Sequence, residues 1–170
     1  MTDFKTIGAM KLVFFDVDGT LSCPAYEADG RLKVGMSDTA WLDYCREHGE
    51  DTYEHCRAVP AVKAYAEHHK AAGARLFVLT GSQCEAETAA KRKFTDRCYP
   101  GLFEEVIPVL HEAEKLVKIK EYAAKYGAAL NECELVEDTF SILLEVVTAG
   151  VEATHVISVC TAYEEKGCKE

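Results

Sequence analysis

Five short runs along the chain are dominated by apolar, often β-branched residues: 11–15, 75–79, 105–109, 133–136 and 155–159. Each is bounded by turn or charge signals. Most are apolar on both faces, as strands of a parallel sheet covered on two sides require. Between these runs the apolar positions recur with helical spacing. Val62, Tyr65, Ala66 and His69 stand at i, i+3, i+4 and i+7, behind Pro60 at a first-turn position and ahead of Gly73. Further helices are predicted over about 84–98, 112–126 and 140–149, the last two followed by Gly127 and Gly150. Strands therefore alternate with helices. That order predicts an α/β sandwich on a parallel sheet of about five strands, with right-handed crossovers and a ligand site at the carboxyl ends of the strands.

One stretch breaks the rhythm. Residues 20–58 intervene between the first strand and the helix that returns to the second. They contain a short helical stripe, Trp41, Tyr44, Cys45 and His48, behind Ser37 as a candidate N-cap. The expectation is a single domain over 1–170 carrying a small cap-like insert at about 20–58, since 170 residues suit one core.

With 48% hydrophobic and 28% charged residues the chain can bury such a core. Its 29 acidic against 19 basic residues give a net charge of −10, which opposes binding to a nucleic-acid polymer. No leader-like or membrane-spanning run is visible, so a soluble cytoplasmic protein without a membrane partner is expected. The eight cysteines form no Cys-x-x-Cys pair and no zinc-finger ladder; they read as reduced thiols, several buried as small apolar residues.

The chemistry concentrates at the ends of the apolar runs. The first runs out into Asp16-Val17-Asp18-Gly19-Thr20, two carboxylates on alternate positions and so aimed the same way if the strand continues. Thr80-Gly81-Ser82 follows the second, with Ser82 and Glu85 spaced as a capping box. Lys115 and Lys118 lie near the start of the helix before the fourth run, which ends in Glu137-Asp138-Thr139. An acidic pair at the mouth of a buried strand is costly unless it meets a cation or a donor.

In these motifs and their order the chain resembles the haloacid-dehalogenase-like hydrolase superfamily, and specifically its phosphatases. The resemblance spans Phe14 to Thr139. It implies a Rossmann-like three-layer sandwich and a Mg²⁺-dependent phosphatase acting through an aspartyl-phosphate. In that scheme Asp16 is the nucleophile and Asp18 the acid and base. Thr80, Gly81, Ser82 and Lys115 bind the phosphoryl oxygens with Asp18 nearby, Lys115 being preferred over Lys118. Asp16, Asp18 through its backbone carbonyl, Asp138 and Glu137 hold the metal. An acid that many members carry shortly after the Asp138 position is replaced by Ser141 and Ile142. An Asp at position 18 favours phosphate esters over carbon–halogen bonds. The implied partner is a small phosphorylated metabolite rather than a phosphoprotein. A phosphotransferase or mutase, or a weakly catalytic phospholigand-binding module, would use the same residues. Tyr26, Trp41, Tyr44, Tyr53, His48 and His55 of the insert could form a lid, or Trp41 and Tyr44 could pack the insert onto the core. His111 and His155 read as strand-end or surface residues, and the tail from Glu164 to Glu170 as solvated.

Overall fold

Alternate residues of one central strand feed two separate cores. In β1 (Leu12–Phe15), Val13 and Phe15 enter one apolar cluster while Leu12 and Phe14 enter the other. The period of two in side-chain direction, with both faces covered, is what makes the run apolar throughout. The computed structural model describes residues 10–23 and 36–156. Within them β1 is joined by β2 (Arg75–Gly81), β3 (Val106–Val109), β4 (Cys133–Glu137) and β5 (Glu152–His155) in one sheet of order β3-β2-β1-β4-β5. Every neighbouring pair is parallel.

The helices lie in two layers. Val62 and Ala66 of α2 (Pro60–Ala71) and Ala90 and Phe94 of α3 (Glu85–Cys98) pack with Val13, Phe15, Leu76 and Val78. On the other face, Ile119 and Ala123 of α4 (Glu114–Tyr126) and Ile142, Leu143 and Val146 of α5 (Phe140–Thr148) pack with Leu12, Phe14, Phe77 and Leu79. Phe14 stacks on Phe77 with ring centroids 5.4 Å apart and meets the Tyr122 edge at 6.0 Å. This is the three-layer, Rossmann-like α/β sandwich expected of the alternating pattern.

The insert supplies α1 (Asp38–His48), where the Ser37 hydroxyl accepts from the Ala40 N–H as an N-cap. Tyr44, Cys45, Tyr53 and Cys56 are buried there, and Trp41 stacks on Tyr44 and meets Tyr53 edge-on. Within the described part of the insert these residues pack on the core, with His55 exposed and the His48 ring bonded to the Tyr44 carbonyl. Tyr26 lies outside the described residues.

Burial pushes the thiols of Cys45 and Cys56 up to about 12 and that of Cys133 up to about 11. Such thiols are small core residues, as their spacing suggested. Cys160, Cys168 and the acidic tail lie outside the described residues.

Two sequence expectations need correction. The fifth strand was expected over 155–159 but occupies Glu152–His155, directly after the Gly150 turn. Among the described residues it is an edge strand, paired only with β4 and partly exposed, so it needs no apolar run to form, and the pattern pointed past it. Residues 157–159 lie outside the described residues. The Ser82–Glu85 capping box does not form either. The helix starts at Glu85 behind Cys84, and the Ser82 hydroxyl bonds Thr88 Oγ1 at 2.7 Å and the Cys84 carbonyl at 3.1 Å. No helix of the described residues is long and apolar enough to cross a membrane.

Candidate active site

The carboxyl ends of β1, β2 and β4 open on a cavity of about 570 Å³ whose lining includes Asp16, Asp18, Thr80, Gly81, Glu137 and Asp138. Each arrives there for a local reason. The Asp16 N–H still bonds the Val136 carbonyl at 3.0 Å, extending β1 by one residue toward the cavity. The chain then turns, with the Thr20 and Ser22 N–H groups donating to the Val17 carbonyl. Gly19 makes that turn possible at φ +79°, and a Cβ there would stand 2.1 Å from Asp138 Oδ2. Only glycine combines that backbone with that proximity.

Because the strand ends at this turn, the expected shared direction of Asp16 and Asp18 gives way to a division of partners. Asp16, nearly buried, accepts from Lys115 Nζ at 2.9 Å. Asp18 turns toward α3 and the insert. Its carboxylate lies 2.9 Å from Lys91 Nζ and accepts from the Tyr53 hydroxyl at 2.8 and 2.9 Å.

Lys115 rises from the first turn of α4 and is 1% exposed. It reaches Glu137 Oε2 at 2.6 Å and Glu112 Oε2 at 2.6 Å besides Asp16. Burial works against its ammonium, but Asp16, Glu137 and Glu112 outweigh burial and hold its proton affinity above that of an ordinary lysine. Lys118 points elsewhere, to Glu121 at 2.8 Å on the exposed face. Of the two candidate lysines, Lys115 is the one within hydrogen-bond reach of Asp16.

Glu137 is held by Lys115 on one oxygen and by the N–H groups of Asp138 and Thr139 on the other, at 3.2 and 3.1 Å. Its acidity is nevertheless weakened, first by burial and then by the charge of Asp16, and Asp138 is raised for the same first reason. Ligand oxygens of Asp16, Glu137 and Asp138 all lie within 4.8 Å of one another.

The second strand delivers Thr80, 1% exposed, whose Oγ1 accepts from Lys91 Nζ at 3.1 Å. Gly81 lies on the cavity wall beside Glu112. The structure does not bring Ser82 to the cavity, because its N–H goes to the Val109 carbonyl and its hydroxyl to Thr88 and Cys84. Ser82 instead ties the β2 end to α3.

Three residues that the sequence reading did not single out, Lys91, Glu87 and Glu112, belong to the site, together with Tyr53, which the sequence offered only as a lid residue. Lys91, its helix partner Glu87 and Tyr53 surround Asp18, and Glu112 pairs with Lys115. The only sequence signal was the i, i+4 spacing of Glu87 and Lys91, which is ordinary on helix surfaces. Among the described residues, six carboxylates (Asp16, Asp18, Glu87, Glu112, Glu137 and Asp138) lie around two ammonium groups, Lys91 and Lys115, and Asp38 adds a seventh carboxylate to the cavity lining. A phosphate dianion would meet a strongly unfavourable field there unless a cation entered with it. The donor set of hard carboxylate oxygens suits Mg²⁺. Ser141 is exposed and Ile142 is buried in the core, so that turn of α5 adds no carboxylate.

No family profile matches the chain, and no curated protein sequence matches it either. Solved structures do. A HAD-superfamily hydrolase, subfamily IA, variant 1, from Geobacter sulfurreducens aligns with a TM-score of 0.58 at 18% identity, covering 86% of this chain and 89% of that one. A predicted phosphoglycolate phosphatase from Haemophilus somnus gives 0.58 at 17% identity, over 88% and 90%. A variant of CbbY from Rhodobacter sphaeroides, in complex with xylulose-1,5-bisphosphate, gives 0.56 at 15% identity, over 85% and 84%. The chain has the fold of the haloacid-dehalogenase-like hydrolases.

Proposed function

We propose that this protein is a Mg²⁺-dependent phosphatase, a single catalytic domain that hydrolyses a small phosphate monoester through an aspartyl-phosphate on Asp16. The observation that carries the reading is the convergence of Asp16, Asp18, Thr80, Glu137 and Asp138 on one cavity, with the buried Lys115 bridging Asp16 and Glu137. The predicted phosphoglycolate phosphatase and the HAD-superfamily hydrolase among structures of the same fold support it.

Asp16 attacks phosphorus, forming an Oδ–P bond as the bond to the leaving-group oxygen breaks. Lys115 orients the Asp16 carboxylate and faces the charge that spreads over the phosphoryl oxygens, with Thr80 and Gly81 on the β2 side. Asp18 gives a proton to the departing oxygen. It then takes one from water, which attacks phosphorus and returns Asp16 as a carboxylate. Asp16, Asp138, Glu137 and the Asp18 backbone carbonyl are the residues that would hold Mg²⁺, which when bound supplies neutralisation of the phosphoryl charge. Trp41 and Met36 line the same cavity, so the insert contributes to the surface that meets the organic part of the substrate.

Two displacements at phosphorus restore its configuration. Hydrolysis of a chiral, isotopically labelled phosphorothioate ester is expected to proceed with retention. Inversion would mean direct attack by water and would remove Asp16 as nucleophile. Metal binding has its own signature. Glu137 and Asp138 hold protons more tightly than ordinary carboxyls, and a cation binds their deprotonated forms, so Mg²⁺ affinity rises with pH. Calorimetry between about pH 6 and 8 should show a gain approaching tenfold per pH unit for the proton displaced from Glu137, which burial pushes up to about 8. Affinity independent of pH contradicts this assignment of ligands.

A further inference from the structure

Lys91 belongs to none of the sequence motifs, yet it is as deeply buried as Lys115, with a side chain 2% exposed. Its Nζ lies 2.9 Å from Asp18 Oδ2, 2.9 Å from Glu87 Oε1 and 3.1 Å from Thr80 Oγ1, and it also donates to the Gly81 carbonyl. Burying an ammonium is costly, and Glu87, one turn away on α3 and itself buried, already compensates it. A purely structural lysine would need no more than that pair and a carbonyl. Lys91 instead extends to the carboxylate of the proposed acid–base residue and to the proposed phosphate-binding threonine.

Asp18 needs such a hold. Its side chain is 35% exposed, against 8% for Asp16, and a half-exposed carboxylate samples several rotamers unless it is tethered. Tyr53 supplies a second tether from the insert, its hydroxyl donating to both Asp18 oxygens. The Tyr53 ring is fixed in turn by Trp41 on one side and Phe94 of α3 on another, at 6.2 and 5.9 Å between centroids. Glu87 keeps the Lys91 ammonium paired while Asp18 exchanges its proton with the substrate.

We propose that Lys91, shared between Glu87 and Asp18, and Tyr53 are positioning residues that fix the Asp18 carboxyl group, which enters the step protonated and leaves it as the carboxylate, for proton transfer to the leaving-group oxygen. This rests on the phosphatase reading and adds to it a function for the buried α3 lysine and for the insert. The insert then does more than cover the cavity: it completes the acid–base group.

The test compares leaving groups of similar shape. p-Nitrophenolate departs with little help, whereas phenolate needs a proton from the acid, so misplacing Asp18 penalises phenyl phosphate selectively. The quantity is kcat/KM, which reports the step that expels the leaving group. Lys91→Met is expected to lower kcat/KM for phenyl phosphate about tenfold more than for p-nitrophenyl phosphate, and Tyr53→Phe about threefold more. Because Lys91→Met strands Glu87, the double variant Glu87→Gln/Lys91→Met should show the same selectivity with its melting temperature restored toward wild type. A folded variant set in which both substrates slow by the same factor overturns the proposal and makes Lys91 a structural cross-link, leaving the phosphatase reading intact. If Lys91→Met and the double variant fail to fold, Tyr53→Phe alone decides in the same terms. A wild-type protein without turnover that depends on Asp16 overturns the phosphatase reading and this inference with it.

Discussion

Asp16→Asn is expected to fold as the wild type does and to lose at least about 10⁴-fold in kcat on any substrate the wild type accepts. The amide keeps the shape of the side chain but cannot form the acyl-phosphate bond. Its effect on stability runs the other way. Asp16 stands among Glu137 and Asp138, and its charge is one of the causes that weaken the acidity of both. Lys115 retains Glu137 and Glu112 when Asp16 is neutralised. The variant should therefore match or exceed the wild-type melting temperature, as expected where an active site stores like-charge repulsion. Turnover in Asp16→Asn within tenfold of wild type would exclude Asp16 as the nucleophile.

Lys115→Met is the second large effect, and it combines a rate loss with a stability loss. Removing the ammonium leaves Asp16 and Glu137 buried without their cation, a change of about 3 kcal/mol for a broken buried pair. The sign with pH follows from the shifts. Lys115 has a raised proton affinity when folded, so its contribution is fully present below the ordinary lysine range and is lost only at strongly alkaline pH. In the variant Glu137, already raised, rises further, so the folded state binds more protons than the unfolded one through the neutral range. Denaturant melts should accordingly show a deficit that grows from about pH 6 to pH 8. Added Mg²⁺ should recover part of it by mass action. Turnover should fall about 10³-fold, the scale of losing one preorganised charge at a phosphoryl group. Lys118→Met, on an exposed pair with Glu121, should change neither quantity by more than about twofold. Equal effects at the two positions would contradict the assignment of Lys115.

Much of this site is legible in the sequence because it stands where strands end. β1, β2 and β4 read as apolar runs, and the polar residues that terminate them, Asp16, Thr80 and Glu137, have no reason to interrupt a buried sheet other than to face a cavity. What was not legible depends on tertiary approach. Lys91 sits in the charge-rich helix Glu85–Cys98, where a solvated lysine is the ordinary case. It is buried only because α3 lies against the β1 turn and the insert. Tyr53 reaches Asp18 across 35 positions of chain, and nothing local to either residue announces the bond. The fifth strand escaped for the opposite reason: as an edge strand of Glu-Ala-Thr-His it forms on pairing with β4 and carries no hydrophobic signature. Ser82 showed the spacing of a cap, but the chain from Ser82 to Cys84 stays outside the helix, and the hydroxyl found Thr88 instead.

The excess of carboxylates at the cavity is the feature that ties fold to chemistry. It makes the site a poor receptor for a bare phosphate and a good one for a phosphate that enters with a divalent cation. Release of inorganic phosphate by the wild-type protein from p-nitrophenyl phosphate and a panel of sugar phosphates, nucleotides and phosphopeptides, in Mg²⁺ and in EDTA, tests that claim most directly. Turnover of at least one small ester in Mg²⁺, abolished by EDTA and restored by adding the metal back, is the predicted result. Release that continues undiminished in EDTA, or no release from any member of the panel, would contradict it.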